Sequence, residues 1–251
     1  MKTHERSFLE CFERISSPPP VPPTISPLTS VTFDGGGFRT LTHCGAVQVL
    51  RPYVTTNTRY YGDSMGAFYA VAAALFLHLP DGKMNRFLTD MLDYVYDVQQ
   101  SWTATWGQCG NRCRQVLEEH LPDDIDLVQD RCFISVTCLS TDYGRVVSRF
   151  RDRSDLLDTV MASMFIPGWT DGFRTWVYSW RGHYTLDGGL STHSPQPRGS
   201  RVGHYTVCSS ISWRYLFYPP GDTIQDLFDA IESGSTLARR TLANGFHRSR
   251  L

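Results

Sequence analysis

The stretch Tyr60-Tyr61-Gly62-Asp63-Ser64-Met65-Gly66-Ala67 combines the end of a predicted strand with the start of a predicted helix. The aromatic residues before Gly62 are typical of a short buried strand, and Ala67–Leu77 is an unbroken apolar run typical of a buried helix. Gly62 and Gly66 flank Ser64 at the spacing Gly-x-Ser-x-Gly. A serine on a sharp strand-to-helix turn needs small neighbours, so the spacing predicts a nucleophile elbow with Ser64 at its apex.

The position of the serine also favours a developing oxyanion. A hydroxyl at the N-terminus of the following helix lies in positive potential, which stabilises negative charge beside it. Glycines also bracket serines in many ordinary turns, so the pattern alone leaves a plain turn as the alternative interpretation.

A glycine-rich loop precedes this stretch by one predicted strand. Val31–Phe33 reads as a strand that runs into Asp34-Gly35-Gly36-Gly37-Phe38-Arg39, and a helix is predicted from near Thr40. A phosphate-binding P-loop would need Gly-Lys-Ser/Thr at its end, and a dinucleotide fingerprint would need a glycine at position 40. An oxyanion hole needs only backbone N–H groups beside a nucleophile, so this third interpretation is favoured.

A base for the serine is predicted in Thr185-Leu186-Asp187-Gly188-Gly189, which places an aspartate at the end of a strand. If this carboxylate is desolvated, its pKa is raised and it can serve directly as a general base. The order Ser, Asp, His also allows a triad with His193 or His204. A simple turn at Asp-Gly-Gly is the third alternative.

The composition is typical of a globular protein and does not indicate a nucleic-acid partner. The 251 residues are 41% hydrophobic and 20% charged, with a net charge of −1, so nothing indicates nucleic-acid binding. An odd number of cysteines, seven, without a signal peptide predicts reduced thiols and a cytoplasmic setting. Cys109 and Cys113 lack a second pair, so no metal site is predicted. The longest apolar run falls short of the about 18 residues of a membrane span, so any membrane contact is expected to be peripheral.

Residues 1–30 differ from the rest and are predicted to be a separate N-terminal segment before a domain over 31–251. Met1–Arg14 is expected to form one or two amphipathic turns. Ser16–Pro23 is proline-rich and predicts a polyproline spacer or a docking site for a protein partner.

The remainder alternates strands and helices, which predicts a three-layer α/β fold with a central, mostly parallel sheet. The aromatic stretch Trp169–Trp180 is expected to pack in the core for at least half of its rings, with a lid or a lipid contact as the alternative. The further predicted elements are helices at Asn85–Gln100, Cys109–His120, Asp155–Met164 and Thr223–Ala243, strands at Cys132–Leu139, Arg145–Phe150 and Gly203–Trp213, and a turn at Asp142–Gly144.

The three motifs, taken in order, resemble those of the patatin-like phospholipases. The Asp-Gly-Gly-Gly-x-Arg/Lys-Gly loop of that family is similar to Asp34–Arg39, its serine elbow to Gly62–Gly66, and its Asp-Gly-Gly/Ala to Asp187–Gly189. The animal branch that includes adiponutrin and adipose triglyceride lipase shares further patterns, so the resemblance covers roughly residues 31–245. Those patterns are similar to Gly37–Gly45, Ser163–Pro167, Tyr218–Pro220 and Leu227–Gly245.

The resemblance implies a lipid acyl hydrolase with a Ser–Asp dyad, no catalytic histidine, no metal and no cofactor. Ser64 corresponds to the nucleophile and Asp187 to the base, while Gly35, Gly36 and Gly37 correspond to the oxyanion hole. Asp34 and Arg39 correspond to the supporting loop, and Gly62 and Gly66 to the elbow. The resemblance implies a phospholipid or acylglycerol ester at a membrane or lipid-droplet surface. Acyl transfer and a catalytically idle lipid-binding module are the alternatives.

Two positions depart from the family pattern. Thr40 replaces the glycine that follows the arginine of the loop, which is expected to change how the loop packs. Asp63 stands directly before the nucleophile, where the animal branch usually has alanine. Its carboxylate is expected either to raise the pKa of Asp187 or to face solvent. Neither change removes a group that the chemistry needs.

Overall fold

The computed structural model describes residues 3–16, 26–80, 82–101, 107–140, 143–172, 174–192, 195–197, 203–208 and 213–243. Within these residues seven strands form one sheet in the order β5-β6-β3-β2-β1-β7, with β4 also paired to β3. The strands β7, β1, β2 and β3 are parallel, whereas β4, β5 and β6 are antiparallel to their neighbours. The strands are β1 Ser30–Phe33, β2 Arg59–Asp63, β3 Cys132–Cys138, β4 Tyr143–Val147, β5 Tyr178–Trp180, β6 His183–Leu186 and β7 His204–Val207.

Helices flank this sheet, and both faces of its parallel strands β1, β2 and β3 are covered. All four residues of β1 are buried, and successive side chains of a strand point to opposite faces, so neither face there is open to water. The predicted α/β class is therefore confirmed, with an antiparallel part added to the parallel one. The helices are α1 Thr3–Ser16, α2 Leu41–Leu50, α3 Met65–Ala72 (continued by a π-helical turn, Ala73–Leu77), α4 Lys83–Gln100, α5 Cys109–His120, α6 Arg153–Ser163 and α7 Ile224–Ala243.

The register of β3 explains how two distant parts of the chain meet. Its first half pairs with β2 and β4 on opposite edges, and its last residues pair with β6 and β4. Strand β4 pairs with Ile134–Cys138 along one edge of β3. Strand β6 therefore lies on the other edge of β3, the edge that β2 occupies, just beyond the point where β2 ends. Asp63 of β2 pairs with Ser135 and Leu186 of β6 pairs with Thr137. The residues that follow each strand, Ser64 and Asp187, therefore converge near Val136.

Helices α2 and α7 cross with their backbones in close contact. A Cβ atom added at Gly45 would overlap the carbonyl oxygen of Ile231, and one added at Gly234 would overlap that of Thr42. Only glycine allows this backbone approach. Gly45 ends the pattern Gly37–Gly45 shared with the animal branch, but the contact between Gly45 and α7 was not predicted.

The N-terminal helix is longer than expected and belongs to the same core. Phe8 and Phe12 are fully buried, and the ring of Phe8 packs edge-on against Phe228 of α7 at 5.6 Å. Ser16 at its end donates a hydrogen bond to the Gln48 side chain of α2 at 2.9 Å. The prediction of one or two turns is wrong, because α1 has fourteen residues and packs against α2, α4 and α7. Most of the proline-rich segment lies outside the described residues, so the domain boundary at residue 30 stays a prediction.

Several predicted boundaries shift. β4 begins at Tyr143, so the proposed turn there is displaced, and Asp142 lies outside the described residues. The long strand predicted over 203–213 is wrong in extent. Regular pairing stops at Val207, residues 209–212 are outside the description, and Trp213–Leu216 is a 3₁₀ turn.

The aromatic stretch divides between core and surface. Trp169 and Trp180 are buried and Tyr178 is half-buried, whereas Trp176 is 70% exposed. Phe173 lies outside the described residues. Core packing is therefore confirmed for two of the rings, and Trp176 is left on the surface.

All seven cysteines are described, and each is a free thiol, as predicted. Cys109 and Cys113 are buried on α5, and the described residues contain no cluster of three or more His, Cys, Asp or Glu side chains arranged to hold a metal ion. None of the helices in the described ranges has the length and hydropathy required to span a bilayer.

Candidate active site

Ser64 sits at the apex of a sharp turn between β2 and α3. Its backbone has φ 52° and ψ −132°, a left-handed conformation that typically costs a non-glycine residue about 1–3 kcal/mol. Two hydrogen bonds hold it there: its N–H donates to Ser163 Oγ at 2.9 Å, and its carbonyl accepts from the N–H of Ala67 at 2.9 Å. The predicted nucleophile elbow therefore has the expected strained geometry.

The two flanking glycines are required by close backbone approach. A Cβ atom at Gly62 would overlap the carbonyl oxygen of Gly66, and one at Gly66 would overlap that of Phe33 in β1. The elbow is thus wedged between the start of its own helix and the neighbouring strand. Any larger residue at either position would push Ser64 out of place.

The glycine loop lies directly against the elbow. Gly36 and Gly37 have φ values of 139° and 55°, and a Cβ atom at Gly37 would overlap the carbonyl oxygen of Leu216. The N–H of Gly35 donates to Asp63 Oδ1 at 3.2 Å, which ties the loop to the residue before the nucleophile.

Asp63 is fully buried, so the interpretation that its carboxylate faces solvent is wrong. A Cβ atom added at Gly35 would lie 2.6 Å from Asp63 Oδ2 and 3.0 Å from the Cβ atom of Ser64. The departure from alanine at this position therefore gives the glycine loop a side-chain acceptor that the family pattern does not supply.

Asp34 and Arg39 frame the loop from behind and from the side. The Nε2 atom of the buried His43 lies 2.9 Å from the carbonyl oxygen of Asp34 and 3.3 Å from its Oδ1 atom. This role of His43 was missed, although the residue lies within the pattern shared with the animal branch. Arg39 is half-buried and lines the cleft in front of Ser64.

Asp187 follows β6 and takes part in three hydrogen bonds with the surrounding protein. Its N–H donates to the carbonyl oxygen of Phe165 at 2.9 Å, and its own carbonyl accepts from Thr137 Oγ1 at 2.7 Å. Its Oδ1 atom accepts from the N–H of Gly189 at 2.9 Å. The carboxyl group is therefore held in place by the protein, and the residue is only 7% exposed.

A buried ion pair anchors the turn that leads into β6. Arg181, in the turn between β5 and β6, donates from Nε to Asp155 Oδ1 at 2.9 Å, and Arg151 contacts the same carboxylate. Burial alone would raise the pKa of the Asp155 carboxyl, but the hydrogen bonds from Arg181 and Arg151 outweigh it and hold the pKa at about 2. The anchor stays charged at neutral pH and fixes the start of the strand that delivers Asp187.

One cleft of about 380 Å³ brings the predicted residues together. Ser64, Asp187, Asp63, Arg39 and the three glycines of the loop line it. The predicted residues Gly62, Gly66 and Asp34 are not among the residues that line it. The apolar walls come from Phe165, Ile166, Pro167, Leu186, Leu190, Leu216 and Phe217. A cleft of this size, with convergent polar groups and apolar walls, suits a ligand with a hydrocarbon part.

The two histidines considered for a triad have different outcomes. His204 pairs with Ser30 at the first position of β1, level with Arg59 at the start of β2. Ser64 lies beyond the other end of β2, roughly 16 Å along at about 3.3 Å per residue. His204 therefore cannot reach Ser64, and its ring nitrogens lie at hydrogen-bonding distance from Ser30 and Thr206. His193 lies outside the described residues, so the triad with His193 stays a prediction.

Comparison with known proteins extends the likeness beyond the motifs. The family model described as patatin-like phospholipase matches residues 31–196. The mouse (Mus musculus) protein named 1-acylglycerol-3-phosphate O-acyltransferase Pnpla3 is 28% identical over 66% of this chain and 40% of its own length. The human (Homo sapiens) protein named patatin-like phospholipase domain-containing protein 4 is 25% identical over 79% of this chain and 78% of its own length.

Two further matches complete the comparison. The mouse omega-hydroxyceramide transacylase is 28% identical over 66% of this chain and 28% of its own length, so the chain spans less than half of either mouse relative. The solved structure of VipD from Legionella pneumophila aligns over 71% of this chain and 49% of its own, at 13% identity and a TM-score of 0.42. Since the family model covers 31–196, and with it the glycine loop, the elbow and Asp187, the chain belongs to the patatin-like phospholipase family.

Proposed function

We propose that this chain is a lipid acyl-ester hydrolase in which Ser64 is the nucleophile and Asp187 the base. The observation that carries the proposal is the convergence of the two residues. Ser64 follows β2 and Asp187 follows the antiparallel β6, and both line one cleft together with the glycine loop. The strained φ of Ser64 supports a role beyond packing, because such strain persists where the surroundings hold a residue for function.

The proposed reaction has two steps that share the same groups. In the first step, Asp187 takes the proton of the Ser64 hydroxyl while the serine oxygen attacks the ester carbon, and the proton passes to the departing alcohol. In the second, Asp187 takes a proton from water, the resulting hydroxide attacks the acyl-serine, and Ser64 regains its proton as the fatty acid leaves.

Backbone donors of the glycine loop would stabilise the oxyanion in both steps. Because the N–H of Gly35 already donates to Asp63, we assign this role to the N–H groups of Gly36 and Gly37. Loss of one such donor typically costs about 3 kcal/mol of transition-state stabilisation. Gly35 itself would then set the position of the loop through its bond to Asp63.

The substrate class rests on the apolar walls of the cleft and on the relatives. We propose a fatty-acyl ester, phospholipid or acylglycerol, taken from a membrane or lipid-droplet surface on the cytoplasmic side. A protein partner at the proline-rich segment is a separate proposal that depends on composition alone.

Acyl transfer is the second candidate, because two of the similar mouse proteins are named as an O-acyltransferase and a transacylase. Transfer would use the same residues and differ only in the second step, in which a lipid alcohol replaces water. Product analysis with and without an added lipid alcohol separates the two, since transfer yields a new ester whereas hydrolysis yields only the free acid.

Hydrolysis of p-nitrophenyl butyrate tests the proposal with matched controls. We expect Ser64→Ala and Asp187→Asn each to lower kcat by at least about 10³-fold while the circular dichroism spectrum stays unchanged. Ser233→Ala and Asp229→Asn, at exposed positions on α7, serve as controls and should retain full activity. Unchanged activity in Ser64→Ala would refute the mechanism.

A further inference from the structure

A second cleft, of about 550 Å³, lies beside the candidate active site. It is formed by α5, α6, β5 and the loop between α6 and β5, and its walls include Met161, Phe165, Val177 and the ring of Tyr178. Its volume is within the range of ligand-binding cavities. None of the proposed catalytic groups lines it.

The two clefts are separated by Phe165, which lines both of them. This side chain is 3% exposed and packs against Tyr178, with ring centroids 5.7 Å apart. The carbonyl oxygen of the same residue accepts the N–H of Asp187. The second cleft therefore lies against the residue that positions the proposed base.

Of the charged groups around the second cleft, Arg114 is paired and Arg174 is exposed, whereas Asp171 keeps a buried Oδ1 atom that accepts no hydrogen bond from the described residues. Arg114 is neutralised by Asp158, at 2.6 Å from its Nη2 atom, and also donates to the hydroxyl of Tyr178 at 3.0 Å. Asp171 accepts hydrogen bonds from Thr175. The side chain of Arg174 is exposed. Asn111, Thr170 and Ser179 add polar atoms to the lining, but most of the open surface of the cleft is apolar. Hydrocarbon therefore fits this cleft better than a phosphate or a sugar does.

Exposed apolar side chains flank the openings of both clefts. Tyr184, at the second cleft, and Leu190, at the catalytic cleft, are each 62% exposed, and Trp176 between the second-cleft residues Thr175 and Val177 is 70% exposed. Aromatic side chains at such positions are typical of a contact with the lipid–water interface. Both openings would then face the source of the substrate.

We propose that the second cleft holds a second acyl chain of the lipid whose ester reacts at Ser64. The inference rests on the proposed function and deepens it, because it makes esters with two or more acyl chains the preferred substrates over monoacyl esters. Phe165 would separate the reacting chain from the chain that is only bound.

Filling the second cleft tests this selectivity. Asn111→Trp and Val177→Trp each place an indole in the cleft, the first from an exposed position on α5 and the second from the strand side. The substrates are dioleoylphosphatidylcholine with its monooleoyl analogue, and dioleoylglycerol with monooleoylglycerol, all in detergent micelles. We expect wild type to prefer the diacyl member, and each variant to lower the diacyl-to-monoacyl ratio of kcat/KM by about 10-fold.

A tryptophan placed far from the second cleft serves as the control in the same assay. Leu127→Trp adds the same ring at an exposed position shortly before the first residue of β3, whereas the candidate active site lies near the last residues of β3. This control should leave the diacyl-to-monoacyl ratio of kcat/KM unchanged. An unchanged ratio in both folded cleft variants, or a wild type that cleaves neither diacyl lipid, would overturn the proposal. Ser64-dependent hydrolysis of p-nitrophenyl butyrate in the same preparation would show that the proposed function stands even then.

Discussion

Two sets of glycines allow close approach in this protein, and they do so for different ends. At the edge of the sheet that holds the proposed catalytic residues, Gly35, Gly62 and Gly66 bring a strained serine and a glycine-rich loop together. At the crossing of α2 and α7, Gly45 and Gly234 only let two helices pack with their backbones in contact. A close contact at a glycine therefore does not by itself show a role in function. That role depends on which groups the close contact brings together.

The largest effect is expected at the glycine loop beside Ser64, the proposed nucleophile. Gly35→Ala would place a methyl group 3.0 Å from the Cβ atom of Ser64 and 2.6 Å from Asp63 Oδ2. Because the proposed oxyanion donors would move, we expect kcat for p-nitrophenyl butyrate to fall by about 10²- to 10³-fold. The free energy of unfolding should fall by less than the activation free energy rises. If Gly35→Ala keeps its activity and its melting temperature, the close contact between Gly35 and Ser64 is not needed for catalysis.

A substitution at the crossing of α2 and α7 should lower the stability of the protein and leave its catalytic rate unchanged. In Gly45→Ala the better helix propensity of alanine gains about 1 kcal/mol, but overlap with the carbonyl of Ile231 is expected to cost about 3 kcal/mol. The free energy of unfolding should fall by about 2 kcal/mol in urea titrations, while kcat per folded molecule stays the same. A loss of kcat without a loss of stability would remove the distinction between the two sets.

The contact between Asp63 and Gly35 sharpens the comparison on the catalytic side. Asp63→Ala removes the acceptor of the Gly35 N–H, so we expect kcat to fall by about 10-fold, an effect of about 1.4 kcal/mol. Asp63→Asn keeps an acceptor oxygen and should stay within a few-fold of wild type. Equal losses in the two variants would instead assign the role to the charge of Asp63.

The smallest effect is expected where a glycine supplies conformation alone. Gly82 precedes α4 with φ 75°, and a Cβ atom there would meet no atom within 4 Å. The left-handed conformation costs alanine about 1–2 kcal/mol, and the lower entropy of the unfolded chain returns about 0.4–1 kcal/mol. Gly82→Ala should therefore lower the free energy of unfolding by about 0.8 kcal/mol, within a range of about 0–1.6 kcal/mol, in the same titrations. A loss of about 2 kcal/mol or more, as large as that expected for Gly45→Ala, would show that steric crowding does not explain the difference between Gly82 and Gly45.

Local patterns predicted the parts of the site that depend on neighbouring residues. The turn at Gly62–Gly66 and the loop at Gly35–Gly37 were predicted from glycine spacing within each segment, although the atoms that exclude a side chain at Gly66 and Gly37 belong to the distant residues Phe33 and Leu216. Helix α5 was predicted with its observed bounds, Cys109–His120. These features are visible in sequence because apolar periodicity and small residues report directly on local conformation.

What could not be predicted depends on pairing between distant segments. The approach of Asp187 to Ser64 requires β6 to run antiparallel beyond the end of β2, which nothing within either segment specifies. The burial of Asp63 depends on the glycine loop packing over it, and the role of Gly45 depends on α7. The position of Asp187 at the end of a strand made it a candidate base in advance, with a triad and a simple turn as alternatives, and the family resemblance then favoured the dyad with Ser64.

Labelling with a fluorophosphonate probe, followed by mapping of the adduct by mass spectrometry, tests the central claim most directly. We predict an adduct on Ser64 in wild type, none in Ser64→Ala, and strongly reduced labelling in Asp187→Asn. Labelling that survives Asp187→Asn but is lost in His193→Ala would keep the nucleophile and replace the dyad with a triad. Equal labelling of wild type and Ser64→Ala would contradict the assignment of Ser64 as the activated serine.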